Sequence, residues 1–446
     1  MKKWLLFISM GALIASLTAC GSGGSGNVNK PATKEGKTVL TLSLRETSPF
    51  YQTLEKKFEE KYPDIDLQIN AYKSMGEQWG PGEFEKYRTA TNTAMLSGKG
   101  MDIIEVDGLP VKEFVSKGFL LNMNDLLKQD KTLDKGDLQM KIVDGLKLNG
   151  GVYTIPSGYS LRVLVGNGDI LGNANVTFDD KTWDWKKFGE VSKEVIRKAK
   201  ESGTREVYAL ASYPPEYLFQ EMLYENYATF VEPSAKKASF DSPEFVDLLR
   251  QAMNMNKEKI ITAGEAQPGH QLFSSTPIRS PLDFIDGPYM LFDHPKIMLL
   301  PRAGETAGQK GARVFTSNQF AIHAKSPAQD EAWKFITFLL SEEAQLLQER
   351  EGFSMLKSVN EKMINDLQEK VRSGDYKLPN GQQAKVPDEQ FTVFKQIVQS
   401  ADQYVDLDSK VISIAGEESM AFFSGQKTAE EVAKLIQNRV TTYLNE

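Results

Sequence analysis

The sequence predicts an α/β fold in two domains. Three observations carry that expectation: strand-like and helix-like periodicities alternate from residue 38 onward, proline and glycine punctuate their ends, and 446 residues at 40% hydrophobic and 25% charged content suffice for two cores.

Residues 1–19 stand outside that fold. Lys2 and Lys3 precede an apolar run from Trp4 to Leu17, broken by Ser9, Gly11 and Ser16, in the order of an export signal peptide and too short to span a bilayer. Without it, 51 basic residues face 60 acidic ones, a net charge of −9, which disfavours a nucleic-acid partner. Cys20 is the sole cysteine, so no internal disulfide can form. Gly21 to Gly26 spell a formal G-x-G-x-x-G, but a dinucleotide site needs a strand before it and a helix after it; here an export signal precedes and a Pro-containing polar stretch follows. Gly36-Lys37-Thr38 is no phosphate loop either, since Pro31 stands where that pattern requires glycine. Leu17-Thr18-Ala19-Cys20 resembles the lipobox of bacterial lipoproteins, which implies cleavage before Cys20 and a diacylglyceryl group on its sulfur. Residues 20–37 are then the lipidated cysteine and a flexible tether of glycine, serine and polar side chains.

The folded elements follow in order. Leu40, Leu42 and Leu44 alternate as in a half-buried strand. Ser48-Pro49 offers an N-cap and a first-turn proline, and Phe50, Leu54, Phe58 and Tyr62 recur every four residues until Pro63. Ile65, Leu67, Ile69 and Ala71 mark a second strand, a glycine-rich loop carries Trp79, residues 83–97 read as a helix ended by Gly98, and residues 101–106 form a buried strand. This alternation predicts a mostly parallel sheet with helices on both faces. Residues 151–167 are strand-like, and residues 182–203 read as a helix capped by Thr182 and ended by Gly203. Residues 214–229 and 241–258 read as helices, and 296–301 and 318–324 as strands. Residues 328–349 read as one long amphipathic helix with Trp333 in the core, and 358–446 are nearly all helical.

Several stretches carry a resemblance by their order and spacing: "FEEKYPDIDLQI", "GKGMDIIEVDG", "GGVYTIPSGYSLRVLVGN", "KTWDWKKF", "IMLLPRAG", "AIHAKSPAQDEAWKFITFLLSEEAQ" and the terminal "SGQKTAEEVAKLIQNRVTTYLNE". Together they resemble the family-1 extracellular solute-binding proteins, the lipoprotein or periplasmic receptors of ABC importers, mostly for oligosaccharides. Two departures stand out: Gly166 occupies a position where tyrosine is common, and "FSSTPIRSPLDF" replaces the usual Phe-x-x-Gly-Lys-x-Ala-Met.

The resemblance implies a type II periplasmic-binding-protein-like fold, with a ligand cleft between two lobes, hinge strands and a helical C-terminal segment. The N-terminal lobe would comprise 38–157 plus 314–352, and the C-terminal lobe 158–313 plus 353–446, with crossings near 157–161, 312–315 and 352–357. Such a cleft closes as a hinge, and the closed shape is what ABC permease subunits would receive. It further implies an extracytoplasmic monomer held at the cell membrane by its lipid, with a carbohydrate ligand, no enzyme activity and no cofactor.

A sugar cleft needs aromatic plates beside charged hydrogen-bonding groups, placed at strand ends and the loops after them. Arg45 and Glu46 end the first strand, Trp79 is flanked by glycines, and Asp107 stands where the family often puts a cleft carboxylate, with Glu105 alternating away from it. Tyr159 and Arg162 lie on the crossing strand, Tyr213 follows another strand, Arg279 and Asp283 fall in the departing segment, and Asn318 precedes "FAI" where the family lines its site. Trp183 and Trp185 flank Asp184, but the family packs its Thr-Trp segment on the domain. His270, His294 and His323 fit no H-E-x-x-H, no G-x-S-x-G occurs, and "DLDS" at 406–409 has Val411 where a calcium loop needs glycine, so neither catalysis nor a metal is expected. A lipid-anchored carbohydrate hydrolase or lyase, a surface adhesin, and a receptor for a non-sugar solute are the alternatives.

Overall fold

The structure is a computed structural model that describes residues 31–204, 206–232, 235–302, 311–401, 403–404 and 407–445. The export signal and Cys20 lie outside the described residues, as does the tether up to residue 30. The strands are β1 (Thr33–Lys34), β2 (Lys37–Glu46), β3 (Ile65–Lys73), β4 (Ile103–Glu105), β5 (Ile155–Asn167), β6 (Val231–Glu232), β7 (Lys237–Ala238), β8 (Phe273–Ile278), β9 (Pro295–Met298), β10 (Arg313–Ile322), β11 (Phe353–Ser354) and β12 (Gln403–Tyr404). The longer helices are α1 (Pro49–Lys61), α2 (Glu83–Leu96), α3 (Trp185–Glu201), α4 (Pro215–Phe230), α5 (Pro243–Lys257), α6 (Gln329–Leu339), α7 (Lys357–Ser373), α8 (Asp388–Gln399), α9 (Ser409–Phe423) and α10 (Ala429–Asn445). Among the described residues no helix is long and apolar enough to cross a membrane.

Among the described residues ten strands share one sheet, in the order β1-β2-β4-β10-β5-β11, with β3 on β2, β8 and β9 on β5, and β12 on β10. The expected mostly parallel sheet is corrected to a mixed one. Only β2–β3, β2–β4 and β10–β12 run parallel, because the long strands β5 and β10 pair antiparallel and carry antiparallel neighbours of their own. The strand–helix–strand alternation therefore governs β2 to β4 alone.

Alternation along β5 builds the two sides of the molecule. Tyr159, Leu161, Val163 and Val165 point into a core that also holds Leu40, Leu42 and Leu44, the buried face of α1, and Phe391 and Phe394 of α8. Leu164 points the other way, into a core of Trp183, Trp185 and Phe188 with the apolar faces of α4, α5, α9 and α10. A smaller cluster around Tyr87, Ile104, Val106 and Phe114 flanks the first. The C-terminal helices thus divide: Phe394 of α8 stacks on Phe284 at 4.6 Å and 7° in the first core, whereas α9 and α10 complete the second. Gln403–Tyr404, as β12, pairs parallel with β10 at Arg313 and Val314.

Local chemistry corrects several boundaries. Ser48 takes the N-cap position of α1 without a side-chain bond, so Pro49 is what fixes that start. Asp184, not Thr182, caps α3, accepting from the Lys187 amide at 2.7 Å. The long helix expected over 328–349 breaks after Leu339, and Ser341 caps a separate short helix, Glu342–Gln345. Trp333 is half-buried, with Nε1 donating to Asp130 at 2.8 Å. Gly166 has no room for the family's tyrosine, since a Cβ there would stand 2.5 Å from Met298 Cε and 2.8 Å from Leu171 Cδ1.

Candidate functional site

β5 and β10 carry the chain between the two cores, and the backbone is closely packed along β5. Gly158 packs its Cα side against β11, where a Cβ would lie 2.9 Å from the Phe353 carbonyl oxygen, and Gly352 adopts φ +84° beside Tyr159. Asn318, mid-way along β10, takes φ +50°, a left-handed conformation that asparagine tolerates better than most residues.

A first wall of candidate side chains is built from the C-terminal ends of β2, β3 and β4. Glu105 Oε2 accepts from the Arg45 amide at 2.7 Å, and Asp107 Oδ2 accepts from the Gln319 amide at 2.8 Å, bracing β10 at its left-handed residue. Glu105 and Asp107 are two residues apart and face the same surroundings, which corrects the expectation that Glu105 turns away. Burial pushes Glu105 up to about 7, with the Asp107 charge adding to it. Burial likewise pushes Asp107 up to about 6 against the opposing pull of its backbone donor and Arg45. Beside them, Trp79 Nε1 donates to Glu46 Oε2 at 3.1 Å. Its ring stacks on Tyr72 at 5.9 Å and 18°, and meets Phe84 and Tyr87 edge-on at 6.1 and 6.4 Å. Gly108, at φ +75°, lets Phe84 close in, since a Cβ would fall 2.5 Å from Phe84 Cζ. Trp79 is therefore both packed and partly open, and Tyr72 presents 42% of its surface.

A second wall is α4, whose polar stripe Tyr217, Glu221, Tyr224 and Glu225 recurs at helical spacing over the crossing strands. Arg162 of β5 pairs with Glu221 at 2.6 Å and donates from Nε to Ser275 Oγ at 2.9 Å. Arg313 of β10 pairs with Glu225 at 2.7 Å, its guanidinium lying 5.6 Å from the Tyr224 ring centre and 4.9 Å from that of Phe315. Burial is the main cause that raises the pKa values of Glu221 and Tyr213, whose side chains bond to each other. Tyr213 meets Tyr217 edge-on at 6.3 Å, and Tyr217 is 54% exposed.

Of the residues expected at the site, Arg45, Glu46, Trp79, Asp107 and Asn318 gather on the first wall and the crossing, and Arg162 and Tyr213 on the second. Tyr159 does not join them. It is fully buried, its hydroxyl accepting from Gln139 Nε2 at 3.1 Å and Asn360 Nδ2 at 3.3 Å, so it packs the crossing. Asp283 is spent on a capping box, accepting from the Arg279 and Ser280 amides at 2.6 and 2.9 Å, and Arg279 stands exposed at the end of β8. Tyr72, Tyr217, Glu221, Tyr224, Glu225 and Arg313 escaped sequence reasoning; the spacing 217, 221, 224, 225 on a helix with an apolar opposite face was the available signal.

Comparison with known proteins identifies the family and the fold. The family model for the bacterial extracellular solute-binding protein matches residues 43–346. A maltodextrin-binding protein of Bacillus subtilis (strain 168) is 29% identical over 181 residues, a match spanning 40% of this chain and 38% of that relative. An ABC substrate-binding protein of Listeria monocytogenes, solved in complex with cycloalternan, superposes with a TM-score of 0.58 at 17% identity, covering 92% of this chain and 99% of that one. The sugar-binding protein MalE of Xanthomonas citri gives 0.60 at 14% identity over 92% and 98%. These likenesses establish the two-lobed α/β fold.

Proposed function

The chain belongs to the bacterial extracellular solute-binding proteins, and from that premise we propose that it captures an oligosaccharide between its lobes and hands it to an ABC permease. The observation that carries this is two groups of rings, Tyr72 with Trp79 and Tyr213 with Tyr217, each set beside charged hydrogen-bonding groups; in this proposal they face one another across the cleft. Rings of this kind offer flat apolar faces to sugar C–H groups, and charged donors and acceptors make the stronger hydrogen bonds to hydroxyls. The maltodextrin-binding relative supports a glucan among the ligands to be tried.

In this proposal Arg45, Glu46, Trp79, Arg162, Tyr213 and Asn318 contact the ligand, and Asp107 positions β10. A ligand touching both walls binds the closed form more tightly and drives hinge closure; taking the closed population from about 1:99 to 99:1 needs about 5.5 kcal/mol of differential affinity. The lobes are proposed as 38–157 plus 314–352 and 158–313 plus 353–446, except that α7 and α8, which pack on the first core, go with the first lobe. Cys20 carries the lipid that holds this monomeric receptor outside the cytoplasm. The chain binds without chemical turnover. A thermal-shift screen against mono- and oligosaccharides tests the reading, because a ligand held only by the native state raises apparent stability. A response to oligosaccharides is expected, and a flat response across glycans beside a shift with a peptide or polyamine would refute sugar capture.

A further inference from the structure

The charges of the second wall are paired within the protein. Arg162 and Arg313 are direct cross-strand partners on β5 and β10, an arrangement of like charges that is unfavourable by itself. Glu221 and Glu225, one helical turn apart on α4, meet them one for one at 2.6 and 2.7 Å. Both carboxylates are buried, with side-chain exposures of 7% and 6%, and Arg302 adds a second guanidinium 3.7 Å from Glu225. The Tyr213 hydroxyl bonds Glu221, while the rings of Tyr224 and Phe315 lie against Arg313. On the first wall Lys73 pairs with Glu83 at 2.6 Å, and Glu46 is occupied by Trp79 Nε1 and the Gly76 amide. Arg45 interacts there with Glu105 and Asp107, whose carboxylates are engaged by the Arg45 and Gln319 amides.

Resting on the sugar-capture reading, we propose that this two-by-two ladder makes the cleft selective for uncharged oligosaccharides, so that uronate-bearing, phosphorylated and polyamine ligands are rejected. An anionic group drawn to either guanidinium competes with its glutamate, and separating the pair leaves a buried carboxylate without its partner. A cation meets the same obstacle in reverse. Neutral hydroxyls lose nothing, since they bond to paired ions without breaking the pairs.

The test is calorimetric titration of the mature protein with neutral tetrasaccharides of glucose, mannose and galactose, with tetragalacturonate, and with spermidine, at low and high salt. A neutral tetrasaccharide is expected to bind with little salt dependence, and tetragalacturonate and spermidine at least about 100-fold more weakly. Glu221→Gln frees Arg162 and is expected to narrow the gap between the neutral tetrasaccharide and tetragalacturonate, both measured on the variant, by about tenfold or more. Should that variant not fold, the comparison within the wild-type panel decides alone. Tight, salt-sensitive binding of tetragalacturonate would overturn the selectivity and leave sugar capture standing. Spermidine binding with no glycan binding would overturn both.

Discussion

Replacing Glu105 by glutamine gives a pH signature whose size follows from the site. Glu105 is 3% exposed, and burial raises its carboxyl to about 7 from an ordinary 4.5. The folded chain therefore keeps a proton that the unfolded chain releases. That contribution to stability is complete below about pH 4.5 and is lost as pH rises through about 7; at 1.36 kcal/mol per pKa unit the whole loss is about 3 kcal/mol. Glutamine keeps the size and the acceptor for the Arg45 amide yet does not titrate, so Glu105→Gln removes this loss. Asp107, raised to about 6, continues to titrate and leaves a residual slope in both proteins. Urea unfolding of wild type and variant at about pH 4.5, 6 and 7.5, followed by tryptophan fluorescence, reads the difference directly. The variant is expected to gain on the wild type by about 3 kcal/mol across that range. A gap that stays constant with pH would refute the account of a buried, proton-holding Glu105.

Three further outcomes follow from named contacts. Trp79→Ala removes the ring stacked on Tyr72 and the donor to Glu46, and should weaken oligosaccharide binding about tenfold or more, on the order of 1.4 kcal/mol, in a calorimetric titration; an unchanged Kd would remove Trp79 from the cleft. Tyr217→Ala, at a 54% exposed ring, should weaken the same binding by a similar factor while leaving Tm within about 1 °C, and a large loss of Tm with intact binding would make Tyr217 a packing residue. Gly166→Ala forces a Cβ to within 2.5 Å of Met298 and should destabilise by about 1–3 kcal/mol in urea unfolding; a neutral result would mean that the Met298 and Leu171 side chains yield.

The sequence made the first wall more legible than the second for physical reasons. Leu40, Leu42 and Leu44, then Phe50, Leu54 and Phe58, switch period from two to about four within a few residues, so β2 and α1 are visible locally, and Arg45 and Glu46 follow as the strand's end. Trp79 stood out by its glycine-rich flanks, although the helix that buries part of it, through Phe84 and Tyr87, lay just downstream. The parity of a strand would have put Glu105 with Asp107. The α4 stripe was hidden because Glu221 and Glu225 look like ordinary solvated positions; their partners Arg162 and Arg313 lie 59 and 88 residues away in sequence, and no local pattern encodes that pairing. The mixed sheet was missed for the same reason, since the antiparallel pairing of β5 with β10 joins segments some 150 residues apart, as Ser160 opposite Phe315 illustrates with a separation of 155.

Small-angle scattering of the mature protein, alone and saturated with the tightest-binding neutral oligosaccharide, tests the central claim most directly. Capture between the proposed lobes predicts a smaller radius of gyration in the saturated state. Saturable binding with an unchanged radius would contradict closure around the ligand.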